Sequence, residues 1–529
     1  MSAFEISIDG KQVPAERGQT VLQVARKIGL DIPTLCHLEK CGPLTSCQVC
    51  LVKVVSAGQG RLVPSCATKV EPGMVIESES EEVHEARRTA LELLFSDHVG
   101  DCLSPCNRLC PLQLNIPLML RQIKAEQFDD ANATLRQALP LAAILGRLCH
   151  HPCEQGCRRG VFDQPAAIRE MERFLTDQQI RPRTAHVAPR VNKSALIIGA
   201  GPTGLTAAHD LARRGYQVTV MDRNAAPGGK LRGIEENQMP AGILQREVAL
   251  LGEMGIDFML GAEVGNQEAL IDLQSRFDAV LVAIGELTGD DGQKLGLPLS
   301  GAFIKADPST CLASAPGIFA AGACVKTVKQ LVRAMAEGRS AGECVHRYLS
   351  GQSPRRPEKP FSSAMGRLEP GELRDFLRSA SSKTSIMPCA RCSGLEKSEV
   401  IQEAARCLHC DCQSSGNCLL QHYAQSYGVD ANRFRSSRRP FEQQLKTGGV
   451  VFEPGKCILC GICVKLTEMA GEPLGLTFIG RGFDMRVGAP FGRSVADGLS
   501  DLAEECVRHC PTGALVFADE ATHKTNGGG

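Results

Sequence analysis

Ser194–Asp222 reads SALIIGAGPTGLTAAHDLARRGYQVTVMD. Ser194–Ile198 is short and apolar, as a buried strand is. Gly199-Ala-Gly201-Pro-Thr-Gly204 follows, then a helical pattern over Leu205–Arg213. Gly215 ends that helix, and Tyr216–Met221 predicts a second strand closing at Asp222. A lone GxGxxG says little. This one is embedded in strand, turn, helix and strand, with an acid 23 residues after the first glycine, which predicts a dinucleotide-binding unit. The glycines allow a tight turn and bring backbone N–H groups to a pyrophosphate at the helix start. Asp222 would accept from the adenosine ribose hydroxyl.

Outward from this segment, composition sets bounds. At about 100–200 residues per domain, 529 residues predict three to five domains. Lys+Arg and Asp+Glu both total 59, so net charge offers no general attraction to nucleic acid or an anionic membrane. With 4% aromatic residues and no Trp, base-stacking platforms are not expected. MSAFEISIDGKQVPAERG lacks the pattern of a signal peptide, and no apolar run reaches the ~18 residues of a membrane helix. The expectation is a cytoplasmic chain with no nucleic-acid partner and no membrane span. There are 25 cysteines, and all but three fall in five groups outside the central segment. Grouped thiols in a reducing compartment point to metal rather than disulfides. Zinc is the rival to iron, but zinc sites favour paired CxxC spacings, and most groups here are triplets.

Further along, Gly228-Gly229-Lys230, Asp278-Ala-Val-Leu-Val-Ala-Ile-Gly285 and Pro316-Gly-Ile-Phe-Ala-Ala-Gly322 occur in that order, with GIEENQMPAGIL after the first and AMAEGRSAGECVHRYL after the last. Together they resemble the flavin landmarks of the glutamate synthase small subunit. The resemblance implies FAD, held by Gly199, Gly201, Gly204, Asp222, Arg223, Gly229, Lys230, Leu231, Ile284, Gly285, Gly322 and Ala323. It also implies a helix N-terminus after Gly322 facing the flavin pyrimidine ring. Ala323 departs from the family, which has Asp there. A larger departure is an absence. That family inserts an NADPH unit between the flavin half-motifs, whereas Gly285 and Gly322 stand 37 residues apart; such a unit needs on the order of 100 residues. Cys311, Cys324 and Cys344 read as small buried hydrophobes, with Cys324 placed where it could approach the flavin.

At the N-terminus, Phe4–Ile8 and Leu51–Val55 read as strands, Asp9-Gly10 as a hairpin turn and Thr20–Lys27 as a short helix. IPTLCHL, SCQVCLVKV and PSCA resemble the [2Fe–2S] domain of the complex I G subunit and of iron-only hydrogenases. The resemblance implies ligation by Cys36, Cys47, Cys50 and Cys66, with Cys41 surplus. After an amphipathic pattern at Glu85–Phe95 comes a second set. CPLQLNIP, GRLCHHPCEQGCRRG and PAAIREMERF resemble the helical domain of the glutamate synthase small subunit and of dihydropyrimidine dehydrogenase, which holds two [4Fe–4S] clusters. Carried over, Cys102, Cys106 and Cys157 serve one, and Cys110, Cys149 and Cys153 the other. Glu172 falls where the family has a side-chain oxygen ligand. His98 stands near the missing fourth ligand of the first cluster. The plain alternatives are a helix-end histidine and a solvated glutamate.

GQSPRRPEK at 351–359 is a linker, and Glu369–Ser379 predicts a helix. Cys407, Cys410, Cys412 and Cys418 lie close enough in sequence to satisfy one [4Fe–4S] cluster locally. The alternative is zinc shared by Cys389, Cys392, Cys407 and Cys410. KCILCGICVKLTE, GRGFD and CVRHCPTGAL resemble the [4Fe–4S] domain of the complex I G subunit, implying Cys457, Cys460, Cys463 and Cys510 as ligands, with Cys506 a lesser candidate.

The expected chain is multidomain α/β and α+β. It comprises a β-grasp 2Fe-2S ferredoxin domain (1–83), a helical domain with two 4Fe-4S clusters (84–187), a Rossmann-type FAD domain without the NAD(P)H insertion (188–352), a linker and CxxCxC cluster segment (353–435) and a C-terminal 4Fe-4S ferredoxin-like domain (436–529). Its cofactors would be FAD, one [2Fe–2S] and about four [4Fe–4S] clusters. Its expected role is an electron-transfer subunit of a multi-subunit oxidoreductase. Partners would be NADH dehydrogenase-, formate dehydrogenase- or hydrogenase-like subunits, with ferredoxin a further candidate. A self-contained FAD-dependent reductase of a small substrate and a scaffold with an empty flavin pocket are the rival expectations.

Overall fold

The computed structural model describes residues 3–56, 59–178, 187–288, 291–378, 380–386, 394–414, 416–445 and 449–517. Cys389 and Cys392 lie outside them. The chain forms two units. The first gathers Met1–Ser104, Pro360–Ser379 and His409–Gly529, and the second Pro105–Lys359 and Ala380–Leu408.

In the first unit, Ala3–Ile8 pairs antiparallel with Lys11–Glu16 across Asp9-Gly10. Both turn residues have positive φ, 47° and 79°, which is the two-residue hairpin geometry that an Asp-Gly pair adopts readily. The five-stranded sheet runs Lys11–Glu16, Ala3–Ile8, Val75–Glu77, Leu51–Ser56, Gln59–Pro64. The helix Val21–Lys27 lies over it, started by a capping box between Thr20 and Gln23. Ile6, Ile8, Leu22, Val52 and Ile76 form the core between them. The next helix, Glu81–Leu94, begins one turn before the sequence pattern does. Its Arg87 is fully buried; Nε donates to the Leu51 carbonyl and Nη1 to the Tyr427 hydroxyl, each at 2.9 Å. Pro370–Leu377 is helical. Its buried Glu372 accepts from Arg438 Nη2 at 2.7 Å and from the Phe441 N–H at 2.7 Å, and Phe376 stacks on Phe441 with ring centroids 4.3 Å apart.

In the second unit a parallel sheet runs Ile256–Leu260, Gln217–Asp222, Ser194–Ile198, Ala279–Val282, Ile318–Ala320. The predicted strand–turn–helix–strand forms its centre, the helix being Pro202–Arg213. That helix packs on Leu331–Leu349, where a Cβ at Gly338 would lie 2.1 Å from the Thr203 carbonyl oxygen; only glycine permits so close a crossing. Between Ala279–Val282 and Ile318–Ala320 the described residues form a single helical turn, Asp291–Lys294, and a small hairpin, Leu299–Ser300 with Phe303–Ile304. No second nucleotide-binding unit occurs among the described residues.

Helices Ile116–Lys124, Phe128–Ala138, Ala142–Leu148 and Ile168–Asp177 build the all-helical part of this unit. Polar anchors fix it to the sheet part. Arg339 donates to Asp210 (3.0 Å) and to the Leu112 and Ala138 carbonyls (2.8 and 2.7 Å). Arg136 reaches the fully buried Glu247 at 3.1 Å. Residues 380–386 and 394–408 are fastened by a second network. Arg159 and Arg406, both fully buried, converge on Asp163, and Arg406 also binds the buried Glu403. Among the described residues no helix is long and apolar enough to cross a membrane.

Candidate redox sites

The sheet part of the second unit opens into a cavity of about 620 Å³ at the carboxyl ends of its strands. This is where doubly wound sheets bind nucleotides. Gly199, Gly201, Asp222, Arg223, Gly229, Lys230, Leu231, Ile284, Gly285 and Ala323 all line it. Gly201 faces open space, and a Cβ at Gly229 would lie 3.1 Å from Gly201 Cα. The wall is therefore bare backbone, as close approach of a pyrophosphate demands. The Asp222 carboxylate accepts from the Ala200 N–H at 2.7 Å and from the Asn224 N–H at 2.8 Å, which aims it across the turn. Lys230 and Glu286 pair at 2.7 Å and stay exposed. These residues fit a dinucleotide.

Two expected cavity residues stand behind the wall. A Cβ at Gly204 would lie 1.9 Å from the Gly199 carbonyl oxygen, and one at Gly322 would lie 2.7 Å from Thr203 Oγ1; both glycines shape the cavity without facing it. Cys324 is also absent from the lining. Its thiol lies 3.2 Å from the Ala321 carbonyl and is fully buried; burial pushes its pKa up to about 12. The helix expected after Gly322 starts later. Gly322–Cys324 is a single 3₁₀ turn, and the long helix begins at Leu331. Val328–Leu331 and Ala334 bring that helix start to the cavity.

Apart from Cys410 and Cys41, the described thiols of the first unit fall into three groups. Cys50 and Cys66 sulfurs are 3.4 Å apart, and Cys36 pairs with Cys47. The neighbouring thiol in each pair pulls Cys36 down to about 5 and Cys50 down to about 6. Two pairs of thiols match the two irons of a [2Fe–2S] core. Cys41 lies near Lys465 and Cys506. Cys457, Cys460, Cys463 and Cys510 line one small cavity, together with Cys506. His98, Cys102, Cys412 and Cys418 line another. Burial, then the Lys456 ammonium, push His98 down to about 3, so its imidazole stays neutral.

In the second unit, Cys110, Cys149 and Cys153 each lie close enough to Glu172 to feel its charge, and Cys153 also feels Cys106. Burial, then Glu154, lift Glu172 to about 8. Glu172 is thus a buried side chain, not a solvated one. Cys106, Cys157 and Cys407 pack against the same apolar core. Cys102, expected beside Cys106 and Cys157, lines a cavity with Cys412 and Cys418. The buried Arg159–Arg406 network, adjacent to Cys407, anchors that thiol to the helical part of the second unit.

A backbone pattern recurs around these thiols. The N–H two residues on points at the sulfur of Cys47, Cys110, Cys149, Cys412, Cys457 and Cys460. For His151 to Cys149 the distance is 3.4 Å. His151, His409 and Leu459, each two residues after a cysteine, have φ of 43°, 46° and 54°. Left-handed backbone at residues other than glycine is strained, and such strain concentrates at functional loops. Donors aimed at sulfur stabilise thiolates and tune a cluster. Among the described residues no group of three or more His, Cys, Asp or Glu closes tightly enough to hold a single metal ion.

Sequence comparison finds three families in succession. Residues 2–81 match the 2Fe-2S iron-sulfur cluster binding domain. Residues 75–184 match dihydropyrimidine dehydrogenase domain II, 4Fe-4S cluster. Residues 156–338 match pyridine nucleotide-disulphide oxidoreductase. The chain therefore carries [2Fe–2S] and [4Fe–4S] domains beside an oxidoreductase domain, in a mixed α/β architecture. It is similar to the NADP(+)-dependent formate dehydrogenase subunit beta of Moorella thermoacetica, 36% identical over 34% of this chain and 29% of that protein. The NAD-dependent dihydropyrimidine dehydrogenase subunit PreT of Salmonella typhimurium is 35% identical over 39% of this chain and 51% of its own length. The NADPH-Fe(3+) oxidoreductase subunit beta of Geobacter sulfurreducens is 35% identical over 34% of this chain and 28% of its own length. The chain thus spans about half or less of the curated relatives it matches.

Proposed function

We propose that this chain is an electron-transfer subunit of a larger cytoplasmic oxidoreductase, moving electrons between iron–sulfur clusters and one FAD. The observation that carries the reading is continuity between thiol groups in the first unit. Ser46, next to Cys47, donates to the Cys460 carbonyl at 3.1 Å. Cys418 in turn lies 3.8 Å from the carbonyl of Pro511, next to Cys510. A string of touching ligand loops suits electron transfer and has no use in a committed substrate site.

The ends of the chain read as modules like those of the complex I G subunit, around a core like the glutamate synthase small subunit without its NADPH unit. Cys36, Cys47, Cys50 and Cys66 would hold a [2Fe–2S] cluster. Cys457, Cys460, Cys463 and Cys510 would hold a [4Fe–4S] cluster, and Cys110, Cys149, Cys153 and Glu172 another. Bound FAD supplies exchange between two-electron and one-electron transfer. For it, Gly199 and Gly201 offer backbone to the pyrophosphate, Asp222 takes the ribose hydroxyl, and Lys230 and Glu286 stand at the solvent side. Partner subunits of NADH dehydrogenase, formate dehydrogenase or hydrogenase type, or a ferredoxin, would supply or receive the electrons. Two of the relatives are themselves named as beta subunits. Anaerobic titration tests this: dithionite bleaches the flavin, while NADH and NADPH leave the isolated chain oxidised. Rapid bleaching by either nucleotide alone would refute the missing nucleotide unit, and a chain whose flavin dithionite cannot bleach would overturn the electron-transfer reading.

A further inference from the structure

We propose that His98, Cys102, Cys412 and Cys418 together ligate one [4Fe–4S] cluster, with the Lys456 ammonium set against it. The inference rests on the iron–sulfur reading above and assigns a ligand set that crosses the sequence grouping. The four donors line a single cavity with Lys456 and Gly513. Loops distant in sequence are tied together around it. The Cys412 N–H meets the Cys102 carbonyl at 3.4 Å, and the Val99 N–H donates to the Gly455 carbonyl at 2.7 Å. Cys102 Sγ sits 3.3 Å from Ser363 Oγ, which donates to the Gly100 carbonyl at 2.8 Å. Cys418 Sγ accepts from the Gln421 N–H, three residues on, at 3.4 Å.

Glycines keep the space open. A Cβ at Gly513 would lie 2.3 Å from Cys412 Sγ. One at Gly100 would lie 2.8 Å from Lys456 Cε and 3.3 Å from His98 Nε2. Lys456 is 4% exposed and ion-paired with Glu453. A buried cation needs anionic surroundings, and a cluster held by three thiolates and one imidazole is anionic in both oxidation states. The neutral imidazole and the nearby ammonium both favour the reduced form, so this cluster would be easier to reduce than an all-thiolate neighbour.

The test is electron paramagnetic resonance of the dithionite-reduced full chain, with iron and sulfide counts, on anaerobically prepared variants. C102A, C412A and C418A should each lose the same signal and about four irons, the [2Fe–2S] signal remaining as the folding control. H98C and K456Q should keep the iron and shift that signal's midpoint downward. The proposal is overturned if C102A removes the signal that C106A and C157A remove while C412A and C418A remove another. If the alanine variants lose the [2Fe–2S] signal as well, H98C and K456Q decide, and an unshifted midpoint in both overturns the assignment. A wild-type chain without iron would defeat the iron–sulfur reading itself, a separate result.

Discussion

Gly204 is the residue on which the flavin cavity is most sharply exposed to change. An added methyl would sit 1.9 Å from the Gly199 carbonyl oxygen, so Gly204→Ala must push apart the turn that forms the cavity wall. Overpacking of this kind costs about 1–3 kcal/mol. The expected variant keeps its iron and loses flavin, read as the ratio of flavin absorbance to iron; an unchanged ratio would refute the cavity's role. Cys324 gives the opposite expectation. Its thiol faces carbonyl groups in the core, so Cys324→Ala should leave the flavin spectrum unaltered. A shifted flavin spectrum would show that the thiol reaches the cofactor.

At the scale of elements, two buried ion pairs hold segments in place. Arg438 binds Glu372 on the helix Pro370–Leu377, and its hydrogen bonds, outweighing burial, hold the carboxyl down at about 2. An unfolded glutamate titrates near 4.3. The folded state therefore binds fewer protons between these values, and the pair's stabilisation is fully present above about pH 4.3 and lost as pH falls towards about 2. Denaturation midpoints followed by circular dichroism should decline across that window more steeply for wild type than for E372Q; parallel curves would refute the linkage. Arg406 is the second case. It donates to Asp163, Glu403 and the carbonyls of Gln164, Pro165 and Lys383. Arg406→Met leaves Glu403 buried without its cation, at a cost of about 3–5 kcal/mol. Limited proteolysis should then cut Ala380–Leu408 first, alongside a lowered melting temperature.

For the whole molecule, the thiols proposed as cluster ligands and the apolar core are the same material. Cys36, Cys47 and Cys460 share one core with Phe95, Leu420 and Phe452. Metal binding that completes a core contributes to folding directly. Anaerobic iron chelation should therefore lower the melting temperature in calorimetry and raise dye binding to exposed apolar surface. A chelated chain that melts like the untreated one would show the clusters to be peripheral.

What the amino-acid sequence determined by itself was local. From Ser194 to Asp222 every element follows the last by a short connection, so spacing and periodicity suffice to specify strand, turn, helix and acid. The hairpin at Asp9-Gly10 was legible for the same reason. Which thiols share a cavity depends on the folded chain: Cys102 lines one with Cys412 and Cys418, which lie in a distant stretch of the sequence. The buried Arg159–Arg406 network holds Cys407 on the helical domain, and no spacing rule anticipates that. A ligand set is chosen by packing between distant segments, whereas a turn is chosen by its own backbone.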